Sequence, residues 1–367
     1  MTHLGVDIIR ALPKVLLHDH LDGGLRPETV CELADAVGHK LPAAGPAALA
    51  DWFAAAADSH SLVRYLETFT HTVAVMQTAG ALERVAREAV LDLAADGVVH
   101  AELRWAPEQH LVRGLTMAQA VEAVQTGIDD GVARAAAEGR SIRAGQLLTA
   151  MRQADHWTEV ADLAIALAGD GVLGFDLAGP EEGFPPGRHD QVWRHLAAHQ
   201  VPVTIHAGEA SGVGSVAEAL SIGQALRIGH GVRIADDITY SAHGGTDGPA
   251  TLGPVAHWVR DQQIPLEVCP VSNTQTGAAE SVATHPITRL KELDFAVTLN
   301  TDNRLMSRTS LTHEMMLLNT EAGWTLDDLL DVTVAAAWSA FVHHDERRTM
   351  VEQVIVPGFQ KIERAQL

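Results

Sequence analysis

Several short strings in this chain set histidines beside acids and glycines in a way that could do chemistry. They are His18-Asp19-His20-Leu21-Asp22-Gly23, Asp176-Leu177-Ala178-Gly179, His206-Ala207-Gly208-Glu209, Gly229-His230-Gly231 and Asn300-Thr301-Asp302-Asn303. His18 and His20 are two residues apart on an extended run, so both imidazoles project to the same side of it. With His206 and the Asp302 carboxylate they supply three neutral nitrogens and one oxygen. That donor set suits a borderline-soft divalent ion, zinc above all. Such an ion lowers the pKa of a coordinated water to about 7, which makes hydroxide available at neutral pH. Glu209 follows His206 closely and is a carboxyl that burial can keep protonated. His230 lies between two glycines that let its ring approach a reacting group. Together these residues are equipment for metal-assisted hydrolysis.

They must be brought together by the elements that carry them. Short β-rich runs occur at 14–18 (KVLLH), 98–105 (VVHAELRW), 142–150 (IRAGQLLTA), 171–178 (GVLGFDLA), 201–207 (VPVTIHA), 225–230 (ALRIGH), 264–270 (IPLEVCP) and 295–301 (FAVTLNT). Stretches with apolar residues at helical spacing separate most of them, such as ALERVAREAVLDLAADG and TMAQAVEAVQTGIDDGVARAAAEG. This alternation predicts a closed parallel (β/α)8 barrel of the TIM type, one domain spanning 1–367. Each chemical string then falls at the C-terminal end of a strand, the face on which barrel enzymes build their active sites.

Two segments exceed the minimal unit. Residues 27–95 form a helical insertion after the first strand, and TYSAHGGTDGPATLG (239–253) is rich in turn formers and reads as an exposed loop. Within the insertion Leu62, Tyr65, Leu66 and Phe69 recur at the spacing of one helical face, which Trp52 and Phe53 could extend. From about Leu311 onward the pattern is helical and predicts C-terminal helices packed on the barrel wall.

Composition removes other classes. A formal net charge of -21, with no Lys/Arg block, argues against a polymeric nucleic acid partner. No basic leader precedes an apolar run at the start, and no stretch of about 18 apolar residues occurs, so a cytoplasmic protein without a membrane contact is expected. Cys31 and Cys269 are the only cysteines and form no disulfide framework or metal motif. The deaminase design that holds zinc through a PCxxC-type motif is therefore excluded. The only lysines are Lys14, Lys40, Lys291 and Lys361, none at a central strand end where a carbamylated lysine could bridge two metals, so one ion per chain is expected.

The strings KVLLHDHLDGGLRPETV, FDLAG, TIHAGE, RIGHG, LEVCPVSNTQTG and LNTD, which run in order from residue 14 to residue 302, resemble the successive signatures of the adenosine deaminase family. The resemblance implies zinc-dependent hydrolysis of adenosine, and of 2′-deoxyadenosine, to inosine or deoxyinosine and ammonia in purine salvage. By the same resemblance His18, His20, His206 and Asp302 hold the zinc, Glu209 donates a proton to purine N1, and His230 orients and can deprotonate the attacking water. Asp22 would bind a ribose hydroxyl, and the N–H of Gly179 would meet N3. Met151 would line the pocket, His285 would match a histidine further from the metal, and Leu62, Tyr65, Leu66 and Phe69 would form an apolar lid.

One departure stands out. The commoner family motif continues with a second aspartate and a proline, where this chain has Asn303 and Arg304. The second aspartate is the family's contact to purine N7, so Asn303 is expected to take that contact, and Arg304 adds a cation near the mouth that could meet an anionic substituent. The alternative readings are a deaminase of a modified adenosine such as an aminodeoxyfutalosine-type nucleoside, an adenosine monophosphate deaminase, a barrel hydrolase of phosphate esters, and a barrel that binds without catalysis.

Overall fold

The computed structural model describes residues 3–241 and 248–366. The strands are β1 (Lys14–His20), β2 (Val98–Trp105), β3 (Arg143–Met151), β4 (Val172–Ala178), β5 (Val203–Ala207), β6 (Arg227–His230), β7 (Ile238–Tyr240), β8 (Ala250–Leu252), β9 (Leu266–Val268) and β10 (Val297–Leu299). Eight of them form one sheet in the order β1-β2-β3-β4-β5-β6-β9-β10, with every described pairing parallel. The ends meet where Asp19 bridges Asp302. There the His20 N–H donates to the Asp302 carbonyl at 2.7 Å and the Asp302 N–H donates to the His18 carbonyl at 3.0 Å. The seam of the barrel is thus sewn by the backbone of residues singled out for chemistry. The expected TIM-type barrel is what forms, and each strand centres on its predicted run.

Helices separate the barrel strands because a parallel connection must cross back over the sheet, and the crossover buries the outer, apolar faces of the strands. The helices Ala79–Ala95 and Met117–Ala137 show how closely they pack. A Cβ built on Gly127 would lie 2.2 Å from the Glu83 carbonyl oxygen and 2.8 Å from Ala86 Cβ, and one on Gly131 would lie 2.7 Å from Val90 Cβ. Glycine there lets two helical backbones approach.

The insertion is helical over Pro27–Val37, Pro46–Ala57, Leu62–Glu67, Phe69–Val75 and Ala79–Ala95. The expected stripe spans two assigned helices separated by the single residue Thr68, whose φ of −62° and ψ of −30° stay in the helical region. Thr68 turns its hydroxyl back to the Tyr65 carbonyl at 2.6 Å, a local bond that competes with helix continuation. Leu62, Tyr65 and Leu66 lie in one helix, which Leu62 opens, and Phe69 opens the next.

The predicted exposed loop begins and ends in an antiparallel pair, β7 with β8, while its residues 242–247 lie outside the described residues. After β10, helices Leu311–Glu321, Leu326–Ser339, His344–Thr349 and Val356–Gln366 complete the chain as expected, with a π-helical turn at Met350–Ile355. Among the described residues, no helix is long and apolar enough to cross a membrane.

Gly127→Ala tests the helix crossing by its sign. In an open helix the change would stabilise by about 0.8–1 kcal/mol. Here overpacking should destabilise by about 1–3 kcal/mol. Urea denaturation of the two proteins decides between them, and a raised midpoint would contradict the close approach.

Candidate active site

The C-terminal ends of β1, β5, β6 and β10 bring His18, His206, His230 and Asp302 together, with one donor atom from each lying within 4.8 Å of all the others. His20 joins them. Its Nε2 is 3.1 Å from His206 Nε2 and 3.3 Å from Asp302 Oδ1, and His18 Nε2 is 3.4 Å from the same oxygen. His18 is wholly buried and His206, His230 and Asp302 nearly so. Burial accordingly pushes the His20, His206 and His230 pKa values below the usual imidazole range. Neutral rings with free lone pairs are the result, the state in which imidazole binds a cation.

Which nitrogen carries each proton is set from behind. His18 Nδ1 donates to Glu267 Oε2 at 2.9 Å, and His206 Nδ1 faces Asp176 Oδ1 at 3.1 Å and the Leu177 carbonyl at 3.0 Å. With the proton on Nδ1, the Nε2 lone pair of each ring points into the cluster, and His18 Nε2 has no hydrogen-bond partner there. Two carboxylates buried in a barrel would be costly alone. Arg104, on β2, lies between them, donating to Glu267 Oε2 at 2.7 Å and to Asp176 Oδ1 at 3.3 Å. Arg227 adds a 2.6 Å contact to Glu267 Oε1 and a 2.5 Å contact to Glu102. Burial would raise the Glu267 and Asp176 pKa values, but Arg104 with Arg227 at Glu267, and His206 with Arg104 at Asp176, hold both below the ordinary carboxylate range.

His230 and Asp302 are non-glycine residues in the left-handed region, at φ 61° and 58°. This conformation costs on the order of 1–3 kcal/mol each and persists where surroundings over-determine it. The helix Pro270–Gln275 supplies the constraint for both: Ser272 donates to Asp302 Oδ2 at 2.5 Å, and Asn273 Nδ2 donates to His230 Nδ1 at 3.0 Å. The Asn273 amide is oriented by the Cys269 N–H, which bonds its Oδ1 at 3.2 Å. A neutral His230 therefore carries its proton on Nε2, 3.5 Å from Glu209 Oε2. Glycine beside it is needed for packing: a Cβ on Gly229 would stand 3.0 Å from His206 Cα and 3.2 Å from His18 Cε1. Burial first, then the charges of Asp302 and Glu181, raise the Glu209 pKa well above the usual carboxyl value. Its Oε1 is buried without a partner, so the geometry offers a proton-bearing acid beside the cluster.

The remaining expected residues surround these. Burial raises the Asp22 pKa to about 7, and its Oδ1 is unpartnered. Gly179 has φ 106° and lies against Met151, whose Cε is 3.3 Å from where a Cβ would be. Phe69 meets the His20 ring edge-on at 6.2 Å, but Tyr65 is buried and bonds Ser307 at 3.0 Å, so it braces the 303–307 segment. His285 caps the helix Pro286–Glu292 through its Nδ1. Asn303 packs on Gly23, where a Cβ would sit 1.9 Å from Asn303 Oδ1.

Arg304 is not a cation offered at the mouth. It is 9% exposed and its Nε donates to Asp19 Oδ1 at 2.9 Å, because the seam that joins β1 to β10 sets those side chains together. Sequence reasoning does not reach Glu267, Arg104, Asn273, Ser272 and Glu181 as site residues. For Arg104 a signal exists: His100, Glu102 and Arg104 alternate along a strand and so share one face.

Removing the cation between the two carboxylates tests this scaffold. Arg104→Leu should cost about 3–5 kcal/mol in urea denaturation, the range for breaking a buried ion pair from one side, and a loss below about 1 kcal/mol would contradict the arrangement.

Comparison with known proteins follows the same lines. The family model described as adenosine deaminase matches residues 13–357. Adenosine deaminase 1 of Streptomyces coelicolor is 53% identical over 357 residues, covering 97% of this chain and 89% of that protein. The adenosine deaminase of Mycolicibacterium vanbaalenii is 52% identical over 359 residues, 98% of either chain. Among solved structures, a zinc-bound amidohydrolase from Burkholderia ambifaria superposes with a TM-score of 0.84 at 24% identity, covering 100% of this chain and 95% of that one. Adenine deaminase from Arthrobacter aurescens gives 0.81 at 23% identity, covering 94% and 98%. At those identities the structures speak for the fold, and the full-length sequence matches speak for the family. The chain belongs to the adenosine deaminase family.

Proposed function

We propose that this chain, acting as a single domain of 1–367 with 27–95 inserted, hydrolyses adenosine and 2′-deoxyadenosine to the 6-oxopurine nucleosides and ammonia, in cytoplasmic purine salvage. The observation that carries the proposal is the spacing among His18 Nε2, His20 Nε2, His206 Nε2 and Asp302 Oδ1: His20 lies 3.1 Å from His206 and 3.3 Å from Asp302, and His18 lies 3.4 Å from Asp302. Ligands about 2.0–2.1 Å from a tetrahedral zinc lie roughly 3.3–3.4 Å from one another. The His206 Nε2 lone pair faces His20 Nε2 at 3.1 Å, a contact a cation can replace when both rings turn lone pairs inward, and the buried, unpartnered His18 Nε2 points to the same occupant. The His230 Nδ1 already accepts from Asn273 and its Nε2 faces Glu209, which leaves His20 as the better third imidazole. Zinc held by His18, His20, His206 and Asp302 would supply a Lewis acid that makes water nucleophilic near pH 7.

The chain's own residues do the rest. Oxygen must add at C6 while N1 takes up a proton, and ammonia must leave. Glu209, held in its acid form by burial, donates that proton to N1. With its proton on Nε2, His230 is disposed to donate to and orient the incoming oxygen rather than deprotonate it. Asp22 accepts from a ribose hydroxyl and the Gly179 N–H meets N3. Asn303 carries amide donors at every pH and so suits the N7 acceptor. Phe69, Leu62 and Leu66 shield the mouth from water as a lid.

The Streptomyces and Mycolicibacterium relatives are named adenosine deaminases, and chains of the same fold have been solved as complexes with IMP and GMP, which supports a purine in the pocket. Arg304 gives its Nε–H to Asp19 and keeps one buried terminal nitrogen without a partner, so the carboxylate-bearing modified adenosine would have to reach a guanidinium that is 9% exposed.

The test is loss of absorbance near 265 nm with a panel of 6-aminopurines. Adenosine should exceed its 5′-monophosphate and free adenine by at least ~10²-fold in kcat/KM, and equal values for the nucleotide would contradict the proposal. Asn303→Leu should cost about 1–3 kcal/mol in transition-state binding of adenosine and far less with a 7-deaza substrate. Equal losses on both would remove Asn303 from the N7 contact.

A further inference from the structure

The turn that carries Glu209 has no backbone acceptor for its own N–H groups among the described residues. All four instead converge on one side chain. Glu181 Oε1 accepts from the Gly208 N–H at 2.6 Å, and its Oε2 accepts from the N–H groups of Glu209 at 3.2 Å, Ala210 at 2.7 Å and Ser211 at 2.8 Å. Glu181 is 5% exposed, lies in the segment after β4, and reaches across to the segment after β5. Successive N–H groups turned to one point form a concavity suited to an anion, and here the anion is part of the chain. Hydrogen bonds to a charged acceptor are roughly twice as strong as neutral ones.

The local backbone explains why a clamp is needed. Gly208 has φ 71°, and a Cβ there would stand 2.6 Å from Val216 Cγ2, so the chain turns sharply between His206 and Glu209. A residue ordered by such a turn is aimed only as well as the turn is held. The Arg152 guanidinium, buried beside it, bonds the His206 carbonyl just before the turn. The clamp begins where that contact ends.

We propose that Glu181 is a positioning residue for catalysis, fixing the 208–211 turn so that the Glu209 carboxyl is delivered to purine N1. The proposal rests on the reading of Glu209 as the proton donor and extends it. The same short segment, 179–181, also carries the Gly179 N–H assigned to N3. One loop therefore sets both the contact to N3 and the acid at N1, which fixes where the six-membered ring lies relative to its proton donor. The nearby negative charge of Glu181 also favours the protonated form of Glu209.

A double-mutant cycle on the zinc-loaded full chain tests this. Glu181→Gln keeps the shape but replaces one acceptor oxygen by a donor, so at least one of the converging N–H groups meets an NH2. In the wild-type background it should lower kcat about tenfold with KM held within about threefold, at unchanged zinc content and far-ultraviolet circular dichroism. In a Glu209→Gln background, itself expected to lose at least ~10²-fold, the same change should lower the residual kcat by less than about twofold. Wild-type kcat in Glu181→Gln, or the same fractional loss in both backgrounds, overturns the proposal. Near-normal turnover of Glu209→Gln alone overturns the reading of the acid, a different outcome from either. Should the amide variant not fold, Glu181→Asp, with both oxygens on a shorter reach, takes its place in the cycle, with the same expected losses and the same contradicting results.

Discussion

Three imidazoles and a carboxylate crowded into one dry volume repel one another unless something decides where each proton goes. For His18 and His206 that decision is made by Glu267, Arg104 and Asp176, all wholly buried. Arg104 holds both carboxylates ionised, and they hold the Nδ1 protons of His18 and His206. The Nε2 lone pairs are then committed to the centre of the cluster. Buried ion pairs are weak evidence for stability. Their value here is orientation, because the outer partners of ligating histidines fix ring and tautomer together.

The rest of the structure follows from keeping that layer in register. β1 and β10 are joined through the backbone of His18, His20 and Asp302, so closing the barrel and assembling the donors are one event. Asp302 and His230 accept left-handed backbone conformations, and Ser272 and Asn273 on one short helix hold their side chains. Gly23 and Gly24 make room for Asn303 and Arg304, whose side chains occupy the space that a Cβ at either glycine would fill. A motif that reads locally as a flexible turn is in fact cut to fit residues some 280 positions away along the chain.

The barrel is legible in the sequence because each strand is a short β-rich run bounded by turn formers and separated by residues of helical period, and both are local signals. The chemical strings are legible for a related reason: barrel strands place their last residues on one face, so position in the strand predicts position in the site. Contacts between strings are not legible. Arg304 reads as a free cation because its partner, Asp19, is distant in sequence and adjacent only across the seam. The stripe from Leu62 to Phe69 reads as one helix because nothing in periodicity reveals the local bond from the Thr68 hydroxyl to the Tyr65 carbonyl that divides it. Glu181 is one of two adjacent acids and Glu267 an acid inside a strand, and only the fold shows what each one faces.

Glu267 is the single acceptor described for the His18 Nδ1 proton, so the decisive measurement is zinc affinity by chelator competition in wild type and Glu267→Gln. An amide can turn its NH2 toward the ring and release the tautomer, and loss of such an outer partner typically weakens metal binding about 10–100-fold. A weakening in that range, with the barrel intact by circular dichroism, is the predicted result. Unchanged zinc affinity in a folded Glu267→Gln protein would contradict it, and would show that the rings do not depend on the buried charges behind them.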